Sequence, residues 1–317
     1  MSSESLVELA LNALSCSQKE LAVRLGVSPT QISKWKKGEH MSPEMEKRIR
    51  AITKIGDKHP SFVLWAGSLK DARKWEKLIH FLAEAALESE ETGYDTYPLQ
   101  DEMGLLCWHT FDTLREMGVV IPSTFPEELD VDYEADVEDD QSLWSKLEKN
   151  PYFSVIWKIY VSLNDVYGFY AAYVSDLIDD EALDLLGTGA ENIEPCLMDL
   201  AASKIDVEPS FATKFDKFKR RVTKEYEEWL TIVKDKAFRA RVPLRAELLS
   251  MVRDTHGELG HEAEAESLGF NSSRLHPDIY MNELLCGMRA IHQVLPEIMK
   301  KLGINKFKLD TSQFHIE

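Results

Sequence analysis

Apolar residues recur at helical spacing along nearly the whole chain, and no convincing run of alternating apolar and polar positions competes with them. Three helix starts near the beginning are written in capping chemistry. Ser17 followed by Glu20 can form a capping box, each side chain satisfying a backbone N–H of the other, which predicts a helix from Gln18. Ser28, Pro29 and Gln31 repeat the device with proline at the first helical position, where its missing N–H costs nothing, and Gly38 is placed to end that helix. Ser42 and Pro43 open a third over EMEKRIRAITKI, closed by Gly56 and followed by the linker-like DKHPS. The opening MSSESLVELALNALS has helical spacing, without the basic stretch and continuous apolar run of a signal peptide. A first domain is therefore expected over residues 1–58, with an all-helical region over 59–317.

In that second region SLKDARKWEKLIHFLAEAALESEE reads as one amphipathic helix, with Leu69, Ala72, Trp75, Ile79, Leu82 and Ala86 on one stripe. PLQDEMGLLCWHTFDTLREMG reads as the next. From Val119 to Gln141 the rhythm breaks at Pro122 and Pro126, and nine acidic residues fall between Glu127 and Asp140. The expectation there is a solvated loop that holds no core and can divide the region. Helical spacing resumes over roughly 142–149, 152–186, 191–204, 210–240, 243–268 and 277–302. WEKLIHFLAEAALESEETGYDTYP has a faint likeness to a tetratricopeptide-type unit, but its spacing does not recur. The fold expected is all-α, an irregular helical bundle behind the first domain, with a solenoid-like stack as the alternative.

Function is concentrated in the twenty residues QKELAVRLGVSPTQISKWKK, Gln18 to Lys37. Leu21, Leu25, Val27, Ile32 and Trp35 are the apolar positions by which two short helices pack on each other and on their surroundings. Ala22 must be small where the helices cross, and Gly26 stands where the turn needs a positive φ. With SPEMEKRI following, this segment resembles the phage-repressor and Cro family, the XRE-like helix-turn-helix proteins. The resemblance covers about residues 3–56, under a fifth of the chain. It implies a compact domain of four or five helices that binds double-stranded DNA as a homodimer on a palindromic operator. A transcriptional regulator, more specifically a repressor, is the reading that follows, in a bacterial or phage-type cytoplasm and associated with the nucleoid.

In that family the second helix of the motif lies in the major groove and the first abuts the backbone. Carried onto this chain, Pro29, Thr30, Gln31, Ser33 and Lys34 occupy the reading face. Gln31 can pair bidentately with adenine, Lys34 can donate to guanine, and the Thr30 methyl can touch that of thymine. Gln18 falls where the family commonly contacts phosphate, while Ser28, Lys36, Lys37 and the cations of KRIRAITK are candidates for phosphate or flanking contacts. Pro29 departs from the commoner polar residue at its position, which shifts the burden of reading towards Gln31 and Lys34.

Charge first contradicts this picture and then supports it. The chain carries a net −18, yet residues 1–60 hold ten Lys and Arg against seven Asp and Glu, leaving 27 against 48 in the rest. A basic end can meet phosphates while the acidic remainder is repelled by the same duplex. Cys16, Cys107, Cys196 and Cys286 lie far apart with no CxxC pair, against a zinc site or a disulfide framework. His256 and His261, in THGELGHEAEAE, have the wrong spacing for HExxH, so no metal is expected.

The most apolar stretch, Tyr152 to Ile178, is interrupted by Lys158, Asn164, Asp165 and Asp176 and reads as a core helix, with no membrane association expected. Its aromatic run could line a ligand pocket but reads first as core. Phe211 to Arg245 carries eleven basic residues against five acidic ones. It could be a second DNA-facing surface, a site for an acidic peptide or a dock for the Glu127–Asp140 stretch, although an amphipathic helix with internal pairs accounts for it. No Walker, GxGxxG or GxSxG motif occurs, so nothing supports an enzyme or a cofactor. The C-terminal region is left as a sensor of a small molecule, peptide or protein effector. An antitoxin-like or phage-defence protein whose helical body binds a partner protein is the alternative function.

Overall fold

The computed structural model describes residues 3–90, 92–133, 141–242, 244, 246–253, 259–260 and 277–304, and among them every regular element is helical. The first four helices are α1 (Ser3–Ala13), α2 (Gln18–Leu25), α3 (Pro29–Trp35) and α4 (Pro43–Thr53). Their starts follow the caps. Ser17, Ser28 and Ser42 each accept the N–H of the third residue on, and Ser17 with Glu20 completes the capping box. Leu6, Val7 and Ala10 of α1 share a buried centre with Leu21, Leu25, Ile32, Trp35 and Ile49. α4 ends earlier than Gly56: Lys54 takes the left-handed conformation (φ 57°), and the Thr53 hydroxyl donates to the Ile49 carbonyl at 2.8 Å.

α5 (Pro60–Trp65) touches both sides of the linker. It packs against α1, where Ser61 Oγ donates to Ser5 Oγ at 2.9 Å. It also packs against α8 (Leu106–Glu116), where Phe62 meets Phe111 edge to face at 4.9 Å. Lys58 in the linker forms an ion pair with Glu76 of α6 (Leu69–Glu88).

α6 is the single amphipathic helix its stripe predicts, with Ala72, Trp75, Ile79, Leu82 and Ala86 buried. The next segment is not one helix. It forms α7 (Tyr97–Gln100) and α8, separated where Asp101 and Gly104 adopt positive φ. The Asp101 carboxylate stabilises the break, accepting the Leu106 N–H at 2.8 Å while its other oxygen meets His80 Nε2 at 2.9 Å.

The expectation of a coreless loop after Val119 is also corrected. Val119, Phe125, Leu129 and Tyr133 are buried. Phe125 lies edge-on to Trp75 at 4.9 Å, and its N–H donates to Asp71 Oδ1 at 3.1 Å. The segment is thus recruited by α6, and its Asp130 pairs with Lys74 of α6. Residues 134–140, with five of the nine acidic side chains, lie outside the described residues.

α9 (Gln141–Leu147) leads into α10 (Pro151–Phe169), a π-helical turn over Tyr170–Val174 and α11 (Ser175–Asp179). Helix was expected as far as residue 186. It stops at Asp179 because Asp180 turns to extended backbone and its carboxylate accepts the Ala182 N–H at 2.8 Å. The aromatic run is core: Phe153, Ile156, Tyr160, Leu163 and Phe169 are buried, and the Tyr160 hydroxyl meets Thr110 Oγ1 at 2.6 Å.

α12 (Leu197–Ala202) and α13 (Phe215–Ala240) follow, then α14 (Ser250–Arg253) and α15 (Pro277–Lys301). α10 packs against α6 and α12, remote from it on opposite sides in sequence, which is bundle architecture rather than a stack of neighbours. Several basic residues of α13 are used internally. Arg221–Glu225, Lys224–Glu228 and Arg239–Asp235 pair one turn apart, and Arg221 also reaches Asp199 and Glu116. Cys16, Cys107 and Cys196 are free thiols, while the Cys286 side chain and both His256 and His261 lie outside what is described.

Candidate nucleic-acid interface

The turn between α2 and α3 sets the site. Gly26 sits at φ 67°, and its N–H and that of Val27 close onto Val23 and Ala22 carbonyls at 3.2 and 2.9 Å. A side chain at Gly26 would meet no neighbour, so the requirement for glycine there is conformational rather than one of space. The turn lets Ile32 and Trp35 of α3 pack inward with Leu21 and Leu25, while Val27 is half-buried against the same centre. The Trp35 indole N–H donates to the His40 carbonyl at 3.2 Å, tying the end of α3 to the loop beyond.

With those residues turned inward, Pro29, Thr30 and Lys34 are exposed, and Gln31 and Ser33 are half-buried beside them. The Gln31 side-chain amide has no hydrogen-bond partner among the described residues, so both donor and acceptor are available. Its backbone N–H is committed to Ser28 Oγ at 3.2 Å. Ser28 is therefore an acceptor for its own helix and retains a hydroxyl proton to donate outward. Ser33 Oγ lies 3.3 Å from Gln18 Oε1 and 3.2 Å from the Pro29 carbonyl, so Ser33 orients Gln18 across the two helices.

Lys34 is held by Glu39 at 3.3 Å, with both side chains about half exposed (51 and 52%). Such a surface pair contributes about 1 kcal/mol or less, so a stronger acceptor can draw the ammonium away. Lys36 and Lys37 are exposed and make no ion pair among the described residues. Of the KRIRAITK cations, Arg50 is diverted. Its guanidinium binds Glu46 and the carbonyls of Gly56 and Lys58, each at 2.9 Å, bracing α4 against the linker. Lys47 and Lys54 remain exposed.

Lys19 escaped the sequence reading. It stands exposed beside Gln18 in the first turn of α2, and its signal was only its place at a capped helix start. Glu20 in the same turn is committed to the cap: the Ser17 backbone N–H, then its hydroxyl, hold the carboxyl below its usual range.

Two short helices, crossing at a small residue through a glycine turn and presenting a polar face on the second, define the helix-turn-helix class. Residues 7–47 match the family model described as helix-turn-helix. No curated protein and no solved structure matches the chain. The N-terminal segment is an XRE-like helix-turn-helix DNA-binding domain, and a chain that carries one is a DNA-binding regulator in kind.

Proposed function

We propose that this protein is a sequence-specific transcriptional repressor whose α3 reads base edges in the major groove. The observation that carries the reading is the exposed face of α3, where an uncommitted Gln31 amide lies one turn before Lys34. Gln31 would select adenine and Lys34 guanine, with Thr30 against a thymine methyl, Pro29 packing at the groove edge and Ser33 holding Gln18. Gln18, Ser28, Lys36 and Lys37 would contact phosphates. The first domain would end near residue 58.

Two copies would occupy paired half-sites of a palindromic operator about 34 Å apart or a multiple of that. Bound across a promoter, the pair would exclude other proteins from the same DNA, which makes repression the sign of regulation we infer. The helical region beyond the linker would sense an effector. In support, a mainly apolar cavity of about 330 Å³ opens between α12 and α13, with Leu200, Val222, Tyr226, Trp229 and Ile232 in its lining. That is the size and character of a small-molecule site. No helix among the described residues is long and apolar enough to cross a membrane, in keeping with action where the DNA is.

The test is a binding selection from a random DNA library with the full chain and with the Gln31→Ala, Lys34→Ala double variant. The full chain should enrich a palindrome, and the variant should lose preference at the bases those side chains read. Each lost bidentate contact should cost roughly 1–3 kcal/mol of discrimination. An unchanged preferred sequence in the variant would sink the assignment.

A further inference from the structure

α15 leaves an apolar surface uncovered. From Gly287 to Ile304 every residue whose side chain is described is exposed, Met299 alone being half-buried. Within this arm Met288, Ile291, Leu295, Ile298 and Leu302 are 46–68% exposed. Their spacing is three, four, three, four, the repeat of a coiled-coil seam, and in the sequence it continues backwards through Leu284 and Met281. The six other large apolar side chains exposed among the described residues, from Val23 to Leu186, are scattered singly.

The arm is also built to stop. Gly303 takes φ 71°, the Ile304 N–H reaches the Met299 carbonyl at 2.9 Å, and the Gly303 N–H reaches that of Lys300 at 3.2 Å. These two bonds form a Schellman cap, so the helix has an encoded end rather than a frayed one. Pro296 lies away from the seam, so the hydrogen bond it forgoes falls on the outer face. Most helical stability in proteins comes from packing an amphipathic face. α15 packs against α13 and the turn over Ala246–Leu249, but from Gly287 onwards the seam is exposed; an encoded end and a regular seam that no described residue covers together call for a helix from outside.

We infer that the seam is covered by the same seam of a second copy of this chain, so that α15 is the dimerisation element. Knobs-into-holes packing needs a partner with the same three-four spacing, and among the described residues no other exposed face supplies it. The positions flanking the seam are Gly287, His292, Val294, Met299 and Lys301. With Lys301 the one permanent charge among them, little opposes pairing of like with like. Matching a patch to itself is also what a two-fold dimer requires. The inference deepens the dimer of the proposed repressor but is measured without DNA, so its failure leaves the reading of α3 standing.

Sedimentation equilibrium of the full chain, without DNA and over the micromolar range, tests it. The wild-type mass should be twice 36.2 kDa. Ile291→Asp with Leu295→Asp should weaken dimerisation by at least about 100-fold, since charges are buried at the centre of the seam. Its thermal unfolding, followed by circular dichroism at a concentration where the wild type is monomeric, should be unchanged. Ile291→Leu with Ile298→Leu, which keeps the seam apolar, should leave the dimer intact. A wild-type mass of 36.2 kDa at every concentration, or an oligomer that survives the aspartates, overturns the proposal. So does a monomer that binds phosphatidylglycerol vesicles through these same residues, which would make the face a membrane contact.

Discussion

The head, α1 to α4, and the body behind it are both helical, yet they are held together differently. Helices of 7 to 11 residues make up the head, and a serine hydroxyl opens three of the four. In the body, the longest helices run to 19–26 residues and meet through rings remote in sequence. Trp75 alone meets Phe111, Phe125 and Tyr152 edge to face, at 5.3, 4.9 and 5.6 Å. Short helices cannot form on propensity alone, so the head depends on local capping; the body can leave many helix ends uncapped because its interior holds them. The difference teaches where each region is vulnerable.

The largest effect should follow from emptying the body's aromatic centre. Trp75→Ala should cost about 3–5 kcal/mol, read as a lowered urea midpoint by circular dichroism. A loss under about 1 kcal/mol would mean that the rings do not hold the body as described.

A second test acts at the junction. His59, at the start of α5, lies tilted against Trp108 at 4.9 Å, and its buried Nδ1 has no hydrogen-bond partner among the described residues. Burial first, then neighbouring positive charge including Arg50, lowers its pKa to about 4. The unfolded chain therefore binds a proton that the folded chain refuses. Stability from this group is complete above about pH 6.5 and is lost as pH falls from there towards 4. Melting temperature should fall across that window in the wild type and fall less in His59→Phe. Parallel curves would show that acid acts elsewhere.

The smallest effect should come from one cap in the head. Ser28→Ala removes the acceptor for the Gln31 N–H and should cost about 1 kcal/mol, seen as faster amide exchange in α3 with the body's exchange unchanged. If α6 and α10 exchanged faster too, the two regions would not be separable in this way.

The same contrast explains what could be read in advance. Ser17, Ser28 and Ser42 act on residues three positions away, so α2, α3 and α4 could be placed from the chain alone. The α6 stripe was equally legible, because one face of one helix is buried. Val119, Phe125 and Leu129 looked solvated beside prolines and acids, and only Trp75 and the Asp71 carboxylate reveal why they are inside. The break at Asp101 likewise depends on His80, from another helix. At the site, the outward polar face of α3 was legible from the motif. The engagement of Lys34 by Glu39, of Gln18 by Ser33 and of Arg50 by carbonyls of the linker was not, since each joins side chains to groups brought close by folding.

α5 is clasped from two directions, by Ser5 through Ser61 and by Phe111 through Phe62. In the pair we propose, such a joint acts as a bracket, not a swivel. The two reading helices would keep a set separation and twist, so operators would be sorted by the phase of their half-sites along the duplex as well as by their bases. Half a helical turn of added DNA, about 5 base pairs, would put one half-site on the wrong side of the double helix for its reader.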